Sequence, residues 1–178
     1  MTIIRLNQKQ KQRVQDNQDP WTYLTESSTE QADKQDLQDH TQDYLIVPWT
    51  SWQKHAESFS SIKHLAIHFP NDGDLTLLAD ELNACQMIVL DFPAFTDGRS
   101  YSIASSLKQE YHYQGELRAR GDIGINQIHL MWRCGFDSLE IPDAELATRI
   151  INTPLPFTAF YQSALRGGRP VYKDRLSV

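Results

Sequence analysis

Residues 87–141, MIVLDFPAFTDGRSYSIASSLKQEYHYQGELRARGDIGINQIHLMWRCGFDSLEI, decide the fold. The apolar run MIVLDF reads as a strand. It hands over through PAFTDGRS to a segment in which Ile103, Leu107 and Tyr111 recur at helical spacing. Gly115 restarts extended structure and ELRARGD alternates as a second strand. INQIHLMWRC then gathers Ile125, Ile128 and Trp132 on one helical face, and Gly135 ends that helix before DSLEI. The repeated unit is strand, loop and helix.

The same unit extends to both sides. Upstream, YLIVP is a compact strand closed by Pro48, and Thr50 or Ser51 can cap the helix TSWQKHAESF. HLAIHF follows, then the turn PNDGD, whose Asp can cap a helix over DLTLLADELNA with Leu75, Leu78 and Leu82 on one stripe. Downstream, Pro142 and Asp143 open a pair of helices, DAELATRII and PFTAFYQSALR, before an extended tail. Strands alternating with helices at this spacing predict an α/β domain with a mainly parallel sheet of about five strands. It would occupy 44–165, after a polar segment 1–43 with a short strand at PWTYL and an exposed loop over Glu26–Gln42, and before the tail 166–178.

A sheet covered on both faces has continuously apolar strands. These do not. His64, Ala66 and His68 alternate against Leu65, Ile67 and Phe69; Asp91 ends the next strand; Glu116, Arg118 and Arg120 share one parity; Glu140 lies between Leu139 and Ile141. The pattern predicts helices on one side and a concave polar surface on the other, in an open sheet or a partial (β/α) barrel. A complete barrel takes about 250 residues, more than this chain has.

Seventeen basic against twenty-three acidic residues give a net charge of −6, which disfavours DNA or RNA as a partner. Cys85 and Cys134 lack metal-binding spacing and read as free thiols of a cytoplasmic protein. No apolar run approaches the ~20 residues that cross a bilayer. GDIG at 121–124 is no dinucleotide fingerprint, a Walker loop is missing, and His64 and His68 are too far apart along a strand to chelate one ion easily. The six histidines therefore read as exposed or structural, and neither a cofactor nor a metal is expected.

Two features carry candidate chemistry. Thr96, Gly98, Arg99 and Ser100 stand where a strand gives way to a helix, a position that favours anions, although Asp97 can itself occupy it. Arg118 and Arg120 point the same way from one strand and need acidic partners or a ligand. Asp91, Asp97, Asp122 and Glu140 are the candidate acid–base groups or ion-pair partners. An anion site and a structural ion-pair network both fit this set.

The motifs FTDGR, GELRARGD, the Gln of NQ and RCGFD, with weaker echoes in DPW, VPW and GRPV, resemble a bacterial domain-of-unknown-function family, number nine hundred and thirty-four. Ile125 and Asn126 stand where its members typically carry Arg-Asp before that Gln. The resemblance implies a role in assimilatory sulfite reduction, since members are labelled probable oxidoreductases of that process, with a sulfite reductase as partner. Three functions are open at this level: an accessory protein of sulfite reduction that binds a sulfur oxyanion, a small enzyme acting on an anionic substrate, and a structural module that forms a homo-oligomer.

Overall fold

A computed structural model describes residues 1–7, 12–24, 44–154, 160–166, 170 and 172. The chain opens with an antiparallel hairpin, β1 (Thr2–Asn7) and β2 (Gln12–Asp16), and a two-residue strand β3 (Thr22–Tyr23). The alternating units follow as β4 (Tyr44–Pro48), α1 (Trp49–His55), a 3-10 turn (Ala56–Phe59), β5 (His64–Phe69), α2 (Leu75–Ala79), β6 (Met87–Phe92), α3 (Arg99–Gln109), β7 (Glu116–Gly121), α4 (Ile128–Cys134), β8 (Ser138–Ile141) and α5 (Ala144–Asn152).

The sheet runs β2-β1-β8-β7-β6-β5-β4-β3, with β3 to β8 parallel to one another and β1 antiparallel to both β2 and β8. It is therefore a mixed sheet of eight described strands, larger than the expected sheet of about five. The additional strands lie at the edges. TIIRLN and QRVQD alternate but carry too little apolar character to stand out, while β3, two residues long, lies within PWTYL.

Local chemistry explains several helix ends. The Asp74 carboxylate accepts from the Thr76 N–H at 2.9 Å and starts α2, and Asp143 does the same for α5 through Glu145. Gly135, at φ +110°, ends α4 in a left-handed conformation that suits glycine. The expected cap at Thr50 or Ser51 is not used, because α1 starts directly after Pro48 and Ser51 is buried within it. The expected last helix is likewise absent over 160–166. There Phe160 bridges to Pro170, Arg133 stacks on the Phe160 ring at 4.4 Å, and Arg166 donates to the Phe136 carbonyl, so tertiary contacts replace helical ones. The loop expected over 26–42 and most of the tail lie outside the described residues.

One face of the sheet carries the main core. Leu45, Ile67, Leu90, Leu117 and Leu139 pack there with Trp52, Leu107 and Met131 of the helices. The opposite face has a small apolar patch, Ile46, Ala66, Met87 and Val89, under Trp21 and Tyr23. Laid flat, the two edge strands of an eight-stranded sheet would stand about 34 Å apart, seven spacings of ~4.8 Å. Yet β2 and β3 are those edges, and the residues between Asp16 and Thr22 reach only about 20 Å when extended. The sheet must curl, and it does so as an open half-barrel, with residues 17–21 strapped across its concave side. No described helix is long and apolar enough to cross a membrane.

Candidate functional site

The hollow of the half-barrel holds two groups of charged side chains, which can be told apart by what their hydrogen-bonding atoms already touch.

The first group is closed. Arg118 is fully buried, and its two terminal nitrogens donate to the two carboxylate oxygens of Asp19, on the strap, at 2.9 and 2.6 Å. Its Nε donates to the Ser138 hydroxyl at 3.2 Å, and Glu116 lies 3.3 Å from the same guanidinium. Ser138 in turn donates to Glu116. Arg5 of β1 joins the ring by donating to Asp16 at 2.6 Å and Glu116 at 2.8 Å. Burial alone would lower the Arg118 pKa, but the bonds and charges of Asp19 and Glu116 outweigh it and hold the guanidinium above its usual value. Two guanidiniums thus face three carboxylates. This is an ion-pair network with no cationic surplus for a ligand.

The second group is open. Asp91, Arg120 and Glu140 are register partners at the C-terminal ends of β6, β7 and β8, and His68 of β5 projects from the same end. The His68 Nε2 lies 2.7 Å from Asp91 Oδ2, off the axis of a linear hydrogen bond. Arg120 Nε lies 3.4 Å from Glu140 Oε1, and its guanidinium carbon sits 4.3 Å above the centre of the Tyr23 ring. The Tyr23 hydroxyl donates to Glu140 Oε2 at 2.5 Å, and the ring meets His68 edge-on at 5.8 Å. Burial, followed by the Glu140 charge, pushes the Tyr23 phenol far above its usual range and keeps it a donor. Glu140 is 2% exposed and Arg120 41%, so the carboxylate is sealed beneath while the guanidinium looks out. Among the described residues, the terminal nitrogens of Arg120 make no hydrogen bond. In parallel α/β folds the strand C-termini are where ligands bind.

The loop FTDGRS leaves the same end of β6 but satisfies itself. Arg99 donates to Asp97 through Nε at 3.1 Å and a terminal nitrogen at 2.7 Å, while Asp97 also accepts from the Arg99 backbone N–H and from Asn71. The Arg99 bonds hold Asp97 well below the usual carboxylate range. The carboxylate thereby occupies the anion position at the start of α3. Ser100 is buried and donates to the Asp91 carbonyl at 2.5 Å, Asp122 accepts from the Phe95 N–H, and Thr96 and Gly98 are exposed.

A separate polar pocket of about 570 Å³ opens at the other end of β7, lined by Lys108, Tyr113, Glu116, Asp137 and Arg166 among others. It lies away from His68 and Arg120, and its cations are engaged. Lys108 donates to the Gly115 carbonyl at 2.7 Å, and Arg166 donates to Asp137 at 2.6 Å. Among the described residues, no three His, Cys, Asp or Glu side chains come close enough together to hold a metal ion.

Of the residues singled out from sequence, the fold therefore joins Asp91, Arg120 and Glu140, sends Arg118 into the network, and leaves Arg99 and Asp97 paired with each other. His68, Tyr23, Asp19 and Glu116 complete the picture. His68 was legible as a member of the polar parity of HLAIHF. Nothing in the sequence ties Asp19 to Arg118, 99 positions away.

A family model described as "Bacterial protein of unknown function (DUF934)" matches residues 66–172, which is 107 of 178 residues, and the chain belongs to that family. Comparison with curated proteins and with solved structures gives no match.

Proposed function

From the family to which the chain belongs and the state of Arg120, we infer that this is an accessory protein of assimilatory sulfite reduction, holding a sulfur oxyanion in the cytoplasm beside a sulfite reductase. The observation that carries the site is Arg120. It is the arginine of the Arg99, Arg118 and Arg120 set whose terminal nitrogens, among the described residues, are not matched to a carboxylate, and it lies over Tyr23 at the strand C-termini. Stacking on an aromatic face fixes the guanidinium plane and leaves its two-pronged edge free, the geometry that grips an oxyanion. The resemblance of FTDGR, GELRARGD and RCGFD supplies the pathway half of the reading.

Calorimetric titration with sulfite, sulfate and phosphate esters tests the site. Arg120→Ala is expected to abolish binding, whereas Arg99→Ala should leave it within about twofold, since Arg99 is neutralised by its own loop. Binding that survives Arg120→Ala removes this assignment. Deleting the gene should impair growth on sulfate and sulfite but not on sulfide; unchanged growth on all three, with unchanged reductase activity, removes the pathway role.

A further inference from the structure

The charges around Arg120 constrain what can bind there. With the imidazole neutral, the open group holds one guanidinium against two carboxylates, Asp91 and Glu140, and the Tyr23 phenol stays uncharged. An oxyanion entering such a site would meet a surplus of negative charge that Arg120 alone does not offset. The group also holds one imidazole, His68, a side chain able to take up a proton. The His68 Nε2 lies 2.7 Å from Asp91 and its ring 5.8 Å from the Tyr23 ring, which also contacts Arg120 and Glu140; its neighbours in the sheet are Pro48 and Val89, neither of which titrates. The ring nitrogen turned away from Asp91 makes no hydrogen bond among the described residues.

We propose that His68, paired with Asp91, is the proton acceptor of the site: an oxyanion held by Arg120 binds together with one proton, which resides on the His68 imidazole. This deepens the oxyanion reading and rests on it. The ligand class is an oxyanion that can carry a proton, such as hydrogensulfite or a phosphate monoester monoanion. On binding, the O–H bond of the ligand breaks and its electron pair stays on oxygen. A new N–H bond forms at the free ring nitrogen of His68. The resulting imidazolium is balanced by Asp91, and the reverse step returns the proton. An anion without a proton of its own, such as sulfate, must draw it from solvent. Asp91 is a positioning residue here, turning the imidazole and stabilising its charged form.

Sulfate titrations over a range of pH, in two buffers of different ionisation enthalpy, test the proposal. NMR of the wild-type imidazole would locate the His68 titration in parallel. Above that midpoint the wild-type sulfate affinity should fall about tenfold per pH unit, with protons taken up from the buffer. His68→Gln, checked for folding by thermal unfolding, should bind sulfate more weakly at low pH, with no pH slope and no proton uptake. Asp91→Asn should keep the slope but shift its midpoint to lower pH. A wild-type affinity that does not vary with pH, or a slope that survives in His68→Gln, overturns the role of His68 while leaving Arg120 as an anion site. A wild type that binds no oxyanion overturns both.

Discussion

Asp19 and Arg118 meet in a two-pronged ion pair across the hollow of the sheet, although Asp19 lies on the strap between its two edge strands and Arg118 in the strand β7. The pair fastens the strap that keeps the sheet curled, because Pro20, Trp21 and Tyr23 follow Asp19 directly. Removing one partner of a buried pair leaves the other charge without compensation. Asp19→Ala is expected to lower stability by on the order of 3 kcal/mol. Urea unfolding measures it, and a cost under ~1 kcal/mol would mean that Glu116 and Ser138 already satisfy Arg118.

Tyr23 supports the open group in two separable ways, through its hydroxyl to Glu140 and through its ring beneath Arg120. Tyr23→Phe removes the first and should cost about 1–2 kcal/mol of stability, since Glu140 is left under-satisfied in a buried setting. Its oxyanion affinity should stay close to wild type. Tyr23→Ala also removes the platform and should weaken sulfate binding about tenfold. Equal affinities for the two variants would show that the ring does not orient the guanidinium.

Gly121 directly follows Arg120 and has φ +115°, and a Cβ built there would meet the Phe92 carbonyl oxygen at 2.2 Å. That oxygen also accepts from the Asp122 N–H at 2.7 Å, so it is not free to move aside. Gly121→Ala is expected to destabilise by about 2–3 kcal/mol. Gly135→Ala should cost less, because the atoms nearest its missing Cβ belong to side chains, Leu165 Cδ2 at 2.8 Å and Lys108 Cγ at 2.9 Å, and not to backbone. Thermal unfolding of the two variants gives the order directly.

Cys85 is buried beside Tyr113, and burial pushes its thiol up to about 11. Cys134 is also raised by burial, in that case only partial. A raised thiol pKa means little thiolate at neutral pH, so alkylation of Cys85 at pH 8 should run on the order of 100-fold slower than that of a free cysteine. Full reactivity should return in denaturant. Fast modification of Cys85 in the native protein would show that the site opens readily.

Much of the fold was legible because the alternating units are local. The apolar runs of β4 and β6, the alternation of β5, β7 and β8, Asp74 and Asp143 at helix starts, and Gly135 at a helix end each act within a few residues. The edge strands were not legible in the same way. β1 and β2 are defined by partners elsewhere in the sheet, β2 by β1 and β1 by β2 and β8.

The sequence by itself determined the alternation of strands and helices, the two-faced character of the strands, and the set of polar residues that share the inner face, because side-chain parity along a strand follows from backbone geometry alone. Only the tertiary structure decided which charges are matched. Arg118 and Arg120 are two residues apart and equivalent in pattern, yet the strap brings Asp19 onto one and lays the Tyr23 ring against the other. Whether a guanidinium is a structural ion or a ligand-binding one depends on which chain segment crosses above it, and that is fixed by the curl of the whole sheet.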